Sequence, residues 1–414
     1  MEKTTKRTGR GRGRKYKADC PGDFLIRKGR AHLQQGDYGA AVDALEEALA
    51  RSPSRVDLWI ALGEAHLKRD GNARALECFD RAIGRKPDAV AALRGRAMAR
   101  RRLGEIEGAV GDLCRAVEFA PADAEIWNDL AAGYEALGLS PEALRCYHEV
   151  VDRSPSLFQA WYNFGTAQIE AGDLAGGLES YEQALLLKQD DFNLHYNLGW
   201  VHARMERTAE AIAAYRSAVA LRREDFRAWY NLGNVLLAAG AAEEARKCLR
   251  RAASIRRNDP EVWNNLGNAS LACDRDREAE RCYRRAVQID ARFHPAWNNL
   301  GNTHEAAGRL RNALGCYERA LEMEPEQPIY RLNRAIAHAA LGFYRAALDD
   351  LEPATRVNPQ IVDVLDDIVA FEPLRSHPRY RKLRRRAAEV AGWPRSGRSA
   401  DPPRLDSPQP AAHK

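Results

Sequence analysis

Asparagine returns at a fixed interval along this chain: Asn163, Asn197, Asn231, Asn265, Asn299 and Asn333 follow one another every 34 residues. Asp129 stands one interval before the first, and Asn234, Asn268 and Asn302 repeat the interval three residues further on. A carboxamide has two donor hydrogens, an acceptor oxygen and no charge. It is neither a nucleophile nor a proton-transfer group, so the chemistry this series offers is hydrogen-bond recognition. An extended polypeptide presents N–H and C=O groups to such a series whatever its side chains. Asn costs up to about 0.7 kcal/mol relative to Ala inside a helix, so six in register need a cause. Recognition of a main chain is one. Hydrogen bonding between adjacent repeats, or duplication of one ancestral unit, is the other.

No other constellation points to a reaction. The run Gly9–Lys15 (GRGRGRK) is no phosphate loop, because no strand precedes it and no helix-opening Lys-Ser/Thr follows. His32, His66, His202, His304 and His338 share one register. No carboxylate or thiol recurs beside them to complete the three or four donors that a metal needs at about 2.1 Å. They read as half-polar aromatics in the packing. Cys78, Cys146, Cys248, Cys282 and Cys316 share another register without a CxxC pair. They read as small core hydrophobes in a reducing, cytoplasmic compartment. The expectation is a non-enzymatic chain with no metal and no cofactor.

The elements that position the asparagines follow from the same interval. Counted in blocks of 34 from Gly22, the chain holds ten repeats ending at Ile361, with no insertion. Trp59, Trp127, Trp161, Trp229, Trp263 and Trp297 occupy position 4, and position 8 is always Gly or Ala. Position 20 is Ala except for Gly177, position 24 is Leu, Phe or Tyr, and position 27 is Ala except for Val150. Positions 4, 8 and 11 share one face of a first helix, and 20, 24 and 27 one face of a second. Gly at position 15 supplies the turn, and Pro53, Pro87, Pro121, Pro155, Pro325 and Pro359 end second helices. Trp263 is then expected to be buried between its own two helices, with Gly267 one turn on and Ala279 and Ala286 facing it. Measured from position 4, positions 6 and 9 point roughly 200° and 140° around the first helix, away from that stripe.

The segments WYNFG, HYNLG, WYNLGN and WNNLGN, each followed by an AxxxY–xxA half, resemble the tetratricopeptide repeat family. They are most similar to the arrays that precede the catalytic domain of protein O-linked N-acetylglucosamine transferases. The resemblance covers residues 22–361 of 414, and the expectation is that no catalytic domain accompanies the array. It implies an all-α, right-handed superhelical solenoid of about ten tandem helix–turn–helix repeats. It also implies that the asparagine ladder lines a concave groove and grips the main chain of a bound protein or peptide. Tyr162, Tyr196 and Tyr230, at position 5, either flank that groove or pack between repeats. The first three blocks lack the ladder, having Arg27, Ala61 and Gly95 at position 6. The carboxylate clamp of chaperone adaptors is not matched, since Ala61 and Glu64 follow Arg27 and Arg30.

Charge separates the flanks from the array. The chain is +6 overall, with +6 on residues 1–19 and +8 on residues 375–398, which leaves −8 for the rest. The expected organisation is a basic disordered tail (1–21), ten repeats (22–361), capping helices (362–392) and a disordered tail (393–414). Val362–Ala370 should continue a helical pattern broken at Phe371–Leu374, and a last helix from Pro378 should pack Tyr380, Leu383, Ala387 and Val390. Its Arg379, Arg381, Lys382, Arg384, Arg385 and Arg386 form either the polar face of a cap or a patch for nucleic acid. The Lys6–Lys15 stretch is either a nucleic-acid contact or a solubilising tail. No apolar run approaches the ~18 residues of a membrane helix, so no membrane partner is expected. The function expected is a scaffold or adaptor. Two alternatives stand beside it: a nucleic-acid-associated protein acting through its basic flanks, and a substrate-presenting partner of a separate transferase.

Overall fold

A computed structural model of the 414-residue chain describes residues 21–390. The expectations for the Lys6–Lys15 stretch and for the tail from residue 393 lie outside the described residues. Two compact units meet at Asp190 and Asp191.

In the first unit α1 (Pro21–Gln35) pairs with α2 (Tyr38–Arg51), and α3 (Val56–Lys68) with α4 (Asn72–Arg85). The pairs α5 (Val90–Leu103) with α6 (Ile106–Phe119), α7 (Ala124–Ala136) with α8 (Ser140–Arg153), and α9 (Phe158–Glu170) with α10 (Leu174–Leu187) follow. The second unit repeats the scheme with α11 (Phe192–Arg204) and α12 (Thr208–Leu221), then α13 (Phe226–Ala238) and α14 (Ala242–Ile255). It continues with α15 (Pro260–Leu271) and α16 (Asp276–Ile289), α17 (His294–Ala306) and α18 (Leu310–Met323), and α19 (Pro328–Ala340) and α20 (Tyr344–Val357). Within each unit every second helix also packs on the first helix of the next hairpin. The fold is an all-α solenoid of tandem tetratricopeptide-type hairpins. From α3 onward, each first helix begins at position 1 of its block.

Local chemistry explains the register. Position 15 is left-handed in all ten hairpins: Gly36, Gly104, Gly138, Gly172, Gly240, Gly308 and Gly342 take φ of 72–91°, and Asp70, Glu206 and Asp274 take 57–59°. Acidic caps set several first helices, as where the Asp225 carboxylate accepts the Ala228 N–H at 3.0 Å. Within a hairpin, position 8 lies tightly against position 24. A Cβ on Gly267 would sit 2.5 Å from the Tyr283 ring, and one on Gly301 2.4 Å from that of Tyr317.

That contact corrects the expectation for Trp263. The slot between its two helices is already closed by Gly267 on Tyr283, which is 1% exposed. Trp263 is only half-buried and turns to the junction with the preceding repeat, donating its indole N–H to the Arg257 carbonyl at 2.9 Å. The indoles of Trp59, Trp127, Trp161, Trp229 and Trp297 bond the carbonyl six residues before them in the same way.

Two repeats replace an apolar pair by an ionic one. At positions 7 and 23, Leu with Cys in five of the ten blocks, repeats three and ten have Arg96 with Asp112 and Arg334 with Asp350. Each arginine reaches a carboxylate that is 3–5% exposed at 2.5 Å. The five position-23 cysteines are buried and free. Burial pushes their thiols up, that of Cys78 and that of Cys282 to about 12 and those of Cys146, Cys248 and Cys316 to about 11.

The C-terminal end differs from its expectation. No α-helix runs from Val362; short 3-10 turns at Pro359–Asp363 and Val369–Leu374 take its place. Tight turns let Leu365, Phe371 and Leu374 all enter the core, each at most 1% exposed. The last helix, α21 (Pro378–Val390), packs Tyr380, Leu383 and Ala387 as its pattern indicates, but Val390 is 74% exposed.

Candidate peptide-binding face

The asparagines lie on the face of the first helices that carries positions 2, 6, 9 and 13. In the second unit α13 touches α15, α15 touches α17, and α17 touches α19. The position-6 amides bridge these approaches. Asn231 Nδ2 donates to the Tyr196 hydroxyl at 3.0 Å, and Asn265 Nδ2 to the Tyr230 hydroxyl at 3.0 Å. Asn299 Nδ2 donates to Asn264 Oδ1 at 2.9 Å, and Asn333 Nδ2 to Asn298 Oδ1 at 2.8 Å. In the first unit Asn163 Nδ2 donates to Asn128 Oδ1 at 2.9 Å. Each link joins position 6 to position 5 of the preceding repeat.

The position-9 amides add a second strand of bonds. Asn265 also reaches Asn234 Oδ1 at 3.0 Å, Asn299 reaches Asn268 Oδ1 at 3.3 Å, and Asn333 reaches Asn302 Oδ1 at 3.1 Å. Asn197 is half-buried in the same register of α11. The amide donors are thus spent between repeats. Asn231 also hydrogen-bonds the buried Tyr215 hydroxyl; among the described residues no donor reaches Oδ1 of Asn299 or Asn333, and neither oxygen is sealed from solvent.

Several partners escaped the sequence reading. Asn264 and Asn298, each 7% exposed, stand at position 5 and accept from the ladder. Their recurrence beside the first series was the available signal. Tyr230, which the sequence offered either to the groove or to packing between repeats, stacks its ring on Phe226, and burial pushes its hydroxyl up to about 12. The position-24 tyrosines bury their rings under position 8 and extend hydroxyls to this face. Tyr283 donates to Asn268 at 2.8 Å, and Tyr317 to Asn302 at 2.8 Å and to Glu305 at 2.7 Å. Burial raises the Glu305 carboxyl, a shift that the Tyr317 bond offsets in part. Trp200, outside the position-4 register, is 40% exposed at position 9, with the Arg204 guanidinium 5.7 Å from its ring centroid.

The earlier repeats use the same link with other chemistry. Arg94 at position 5 holds Asp129 at position 6 and Glu125 at position 2, each at 2.6 Å. At the other end much of the α21 basic cluster is engaged. Arg379 pairs with Asp349 and Glu352, Arg384 with Asp366, and Arg381 donates to the Ser376 carbonyl. Among the described residues no group of His, Cys, Asp and Glu is placed to hold a metal ion, and no helix is long and apolar enough to cross a membrane.

Comparison with known proteins agrees with this architecture. A family model described as "Cilia and flagella-associated protein 70 C-terminal domain" matches residues 135–363. A "Tetratricopeptide repeat" model matches residues 32–97, and a "Bacterial transcriptional activator domain" model residues 85–156. No curated protein matches by sequence. Among solved structures, the C-terminal part of a TPR repeat-containing protein from Cytophaga hutchinsonii is similar with TM-score 0.51 and 14% identity, over 58% of this chain and 99% of that one. MamA from Desulfovibrio magneticus gives TM-score 0.40 at 19% identity over 41% and 96% of the two chains. YrrB, titled "a TPR protein with an unusual peptide-binding site", gives 0.38 at 21% over 44% and 94%. With ten hairpins on a 34-residue interval and a family model spanning more than half its length, the chain belongs to the tetratricopeptide repeat family.

Proposed function

We propose that the chain is a protein-interaction scaffold whose second unit holds an extended polypeptide along the first-helix face through its main chain. One observation carries this reading. The ladder amides are fixed by their own Nδ2 bonds, and the oxygens of Asn299 and Asn333 remain open acceptors. An acceptor that is already oriented loses little entropy when a peptide N–H binds it. On the same face of first helices stand the exposed apolar side chains Trp200 and Ile329, at 37–40% exposure, which offer contact area for side chains of the occupant. Asn197, Asn265 and the position-9 amides Asn234, Asn268 and Asn302 complete the proposed site in the second unit, and Asn163 holds the same register within the first.

The test uses a peptide selected on the wild-type chain from a random display library. Asn231→Ala, Asn299→Ala and Asn333→Ala combined should weaken it at least about tenfold, which is about 1.4 kcal/mol. Each lost inter-repeat bond should cost about 0.5–1.5 kcal/mol of stability, so the variant must be assayed well below its melting point. A folded triple variant that binds like wild type would remove the asparagines from the site.

The alternative through the basic flanks finds less support in the described part. The ion pairs of Arg379 and Arg384 fit the polar face of a cap.

A further inference from the structure

A cavity of about 500 Å³ opens in the second unit between α14 and α16, floored by Trp263 and Leu266 of α15. It uses none of the asparagines. Its origin is one residue. In every other repeat the place of Ala253 is taken by a branched side chain, including Val219 and Val287 in the adjacent repeats. Ala253, 3% exposed, and Trp263 both line the cavity, and a branched side chain at 253 would fill part of it. The indole is held in place by its 2.9 Å bond to the Arg257 carbonyl.

The rim is strongly basic. Arg250, Arg257, Arg281 and Arg285 line the cavity against a single acid, Glu278. Glu278 is occupied by Arg250 at 2.5 Å and Arg246 at 3.3 Å. Among the described residues no acid pairs with Arg257, Arg281 or Arg285, and all three are exposed. Three uncompensated guanidinium groups around one opening suit a multiply charged oxyanion, which offers several acceptors to planar donors. The apolar slot beside a fixed indole suits a flat ring, by offset stacking. The volume lies within the range of small-molecule sites.

We propose that this cavity binds a phosphorylated ring: a planar aromatic or heteroaromatic body seated beside Trp263 in the space left by Ala253, with its phosphoryl group between Arg257, Arg281 and Arg285. A nucleoside monophosphate and a phosphotyrosine side chain share that chemistry. Calorimetric titration of the full chain with AMP, with N-acetyl-phosphotyrosine amide, with inorganic phosphate and with adenosine separates the sources. At least one ring-bearing phosphate should bind one per chain, about tenfold or more tighter than inorganic phosphate or adenosine, and which one binds names the source. Ala253→Val restores the residue of the adjacent repeats and should abolish that binding with melting unchanged. Should it alter melting, Arg281→Ala with Arg285→Ala, both at exposed positions, should abolish the binding. The proposal is overturned if neither ring-bearing ligand exceeds phosphate, or if binding survives both sets of changes.

Discussion

The two units carry the same hairpin five times each; on the first-helix face the first unit uses both an ionic and an amide link, and the second only neutral ones. Between the third and fourth repeats the position-5 to position-6 link is ionic, Arg94 to Asp129. Across the second unit it is made by neutral amides and phenols, from Asn231–Tyr196 to Asn333–Asn298. The fold requires only that adjacent first helices be joined there; what joins them is free to vary. An ion pair satisfies both partners and leaves a wall of fixed charge. An amide needs only its N–H for the join and keeps an oxygen for something else.

The comparison can be broken at the buried ion pairs, where the largest effects are expected. Asp350→Ala in the second unit leaves Arg334 without its buried carboxylate, costing about 3–5 kcal/mol; Asp112→Ala in the first should cost less, because Arg96 keeps its pair with Asp80 at 2.7 Å. Arg334→Leu with Asp350→Cys, the pair used by other repeats, should recover most of that loss. Urea unfolding of the single and double variants checks both units, and a single-variant cost below about 1 kcal/mol would show the pair to be incidental.

Packing comes next. Gly301→Ala places a methyl 2.4 Å from the Tyr317 ring and should cost about 1–3 kcal/mol despite Ala's higher helix propensity. Gly315→Ala, with nothing within 4 Å, should instead gain up to about 1 kcal/mol. Equal effects at the two sites would contradict the position-8 contact.

Protonation sharpens the contrast between units. Burial lowers the pKa of His66 in the first unit and of His304 and His338 in the second, from 6.5. The unfolded chain therefore takes up these protons first. The stability they contribute is complete above pH 6.5 and is lost as pH falls below it. Glu64 and Glu305, raised by burial, act in the opposite sense at lower pH. With two such histidines against one, hydrogen exchange should show the second unit loosening more just below pH 6.5, and an equal response would set this reading aside. The smallest effect is Glu206→Gly, which relieves a φ of 59° and should raise stability by about 1 kcal/mol in thermal melts.

Much of this was legible in the sequence because a repeat is ten readings of one signal. Position 15 announced the turn, and positions 4, 8 and 11 against 20, 24 and 27 announced the two helices of each hairpin. Trp263 was misplaced because periodicity assigns a face and not a depth. Gly267 and Tyr283 fill the slot, and a larger ring must go to the junction. The ladder residues were legible, but not their bonds, since these depend on which position of one repeat meets which of the next. Asn264 and Asn298 passed unnoticed for that reason, as did the exposed Trp200, which breaks the register.

The central claim is that the ladder oxygens accept main-chain N–H groups, and replacing those groups tests it most directly. A peptide selected on the wild-type chain is resynthesised with single N-methyl residues along its length, and the affinity of each version is measured. The account predicts that methylation at about alternate residues weakens binding about tenfold or more, and that Asn231→Ala, Asn299→Ala and Asn333→Ala together erase this sensitivity. Binding that tolerates every N-methyl group, and falls only when side chains are changed, would contradict it.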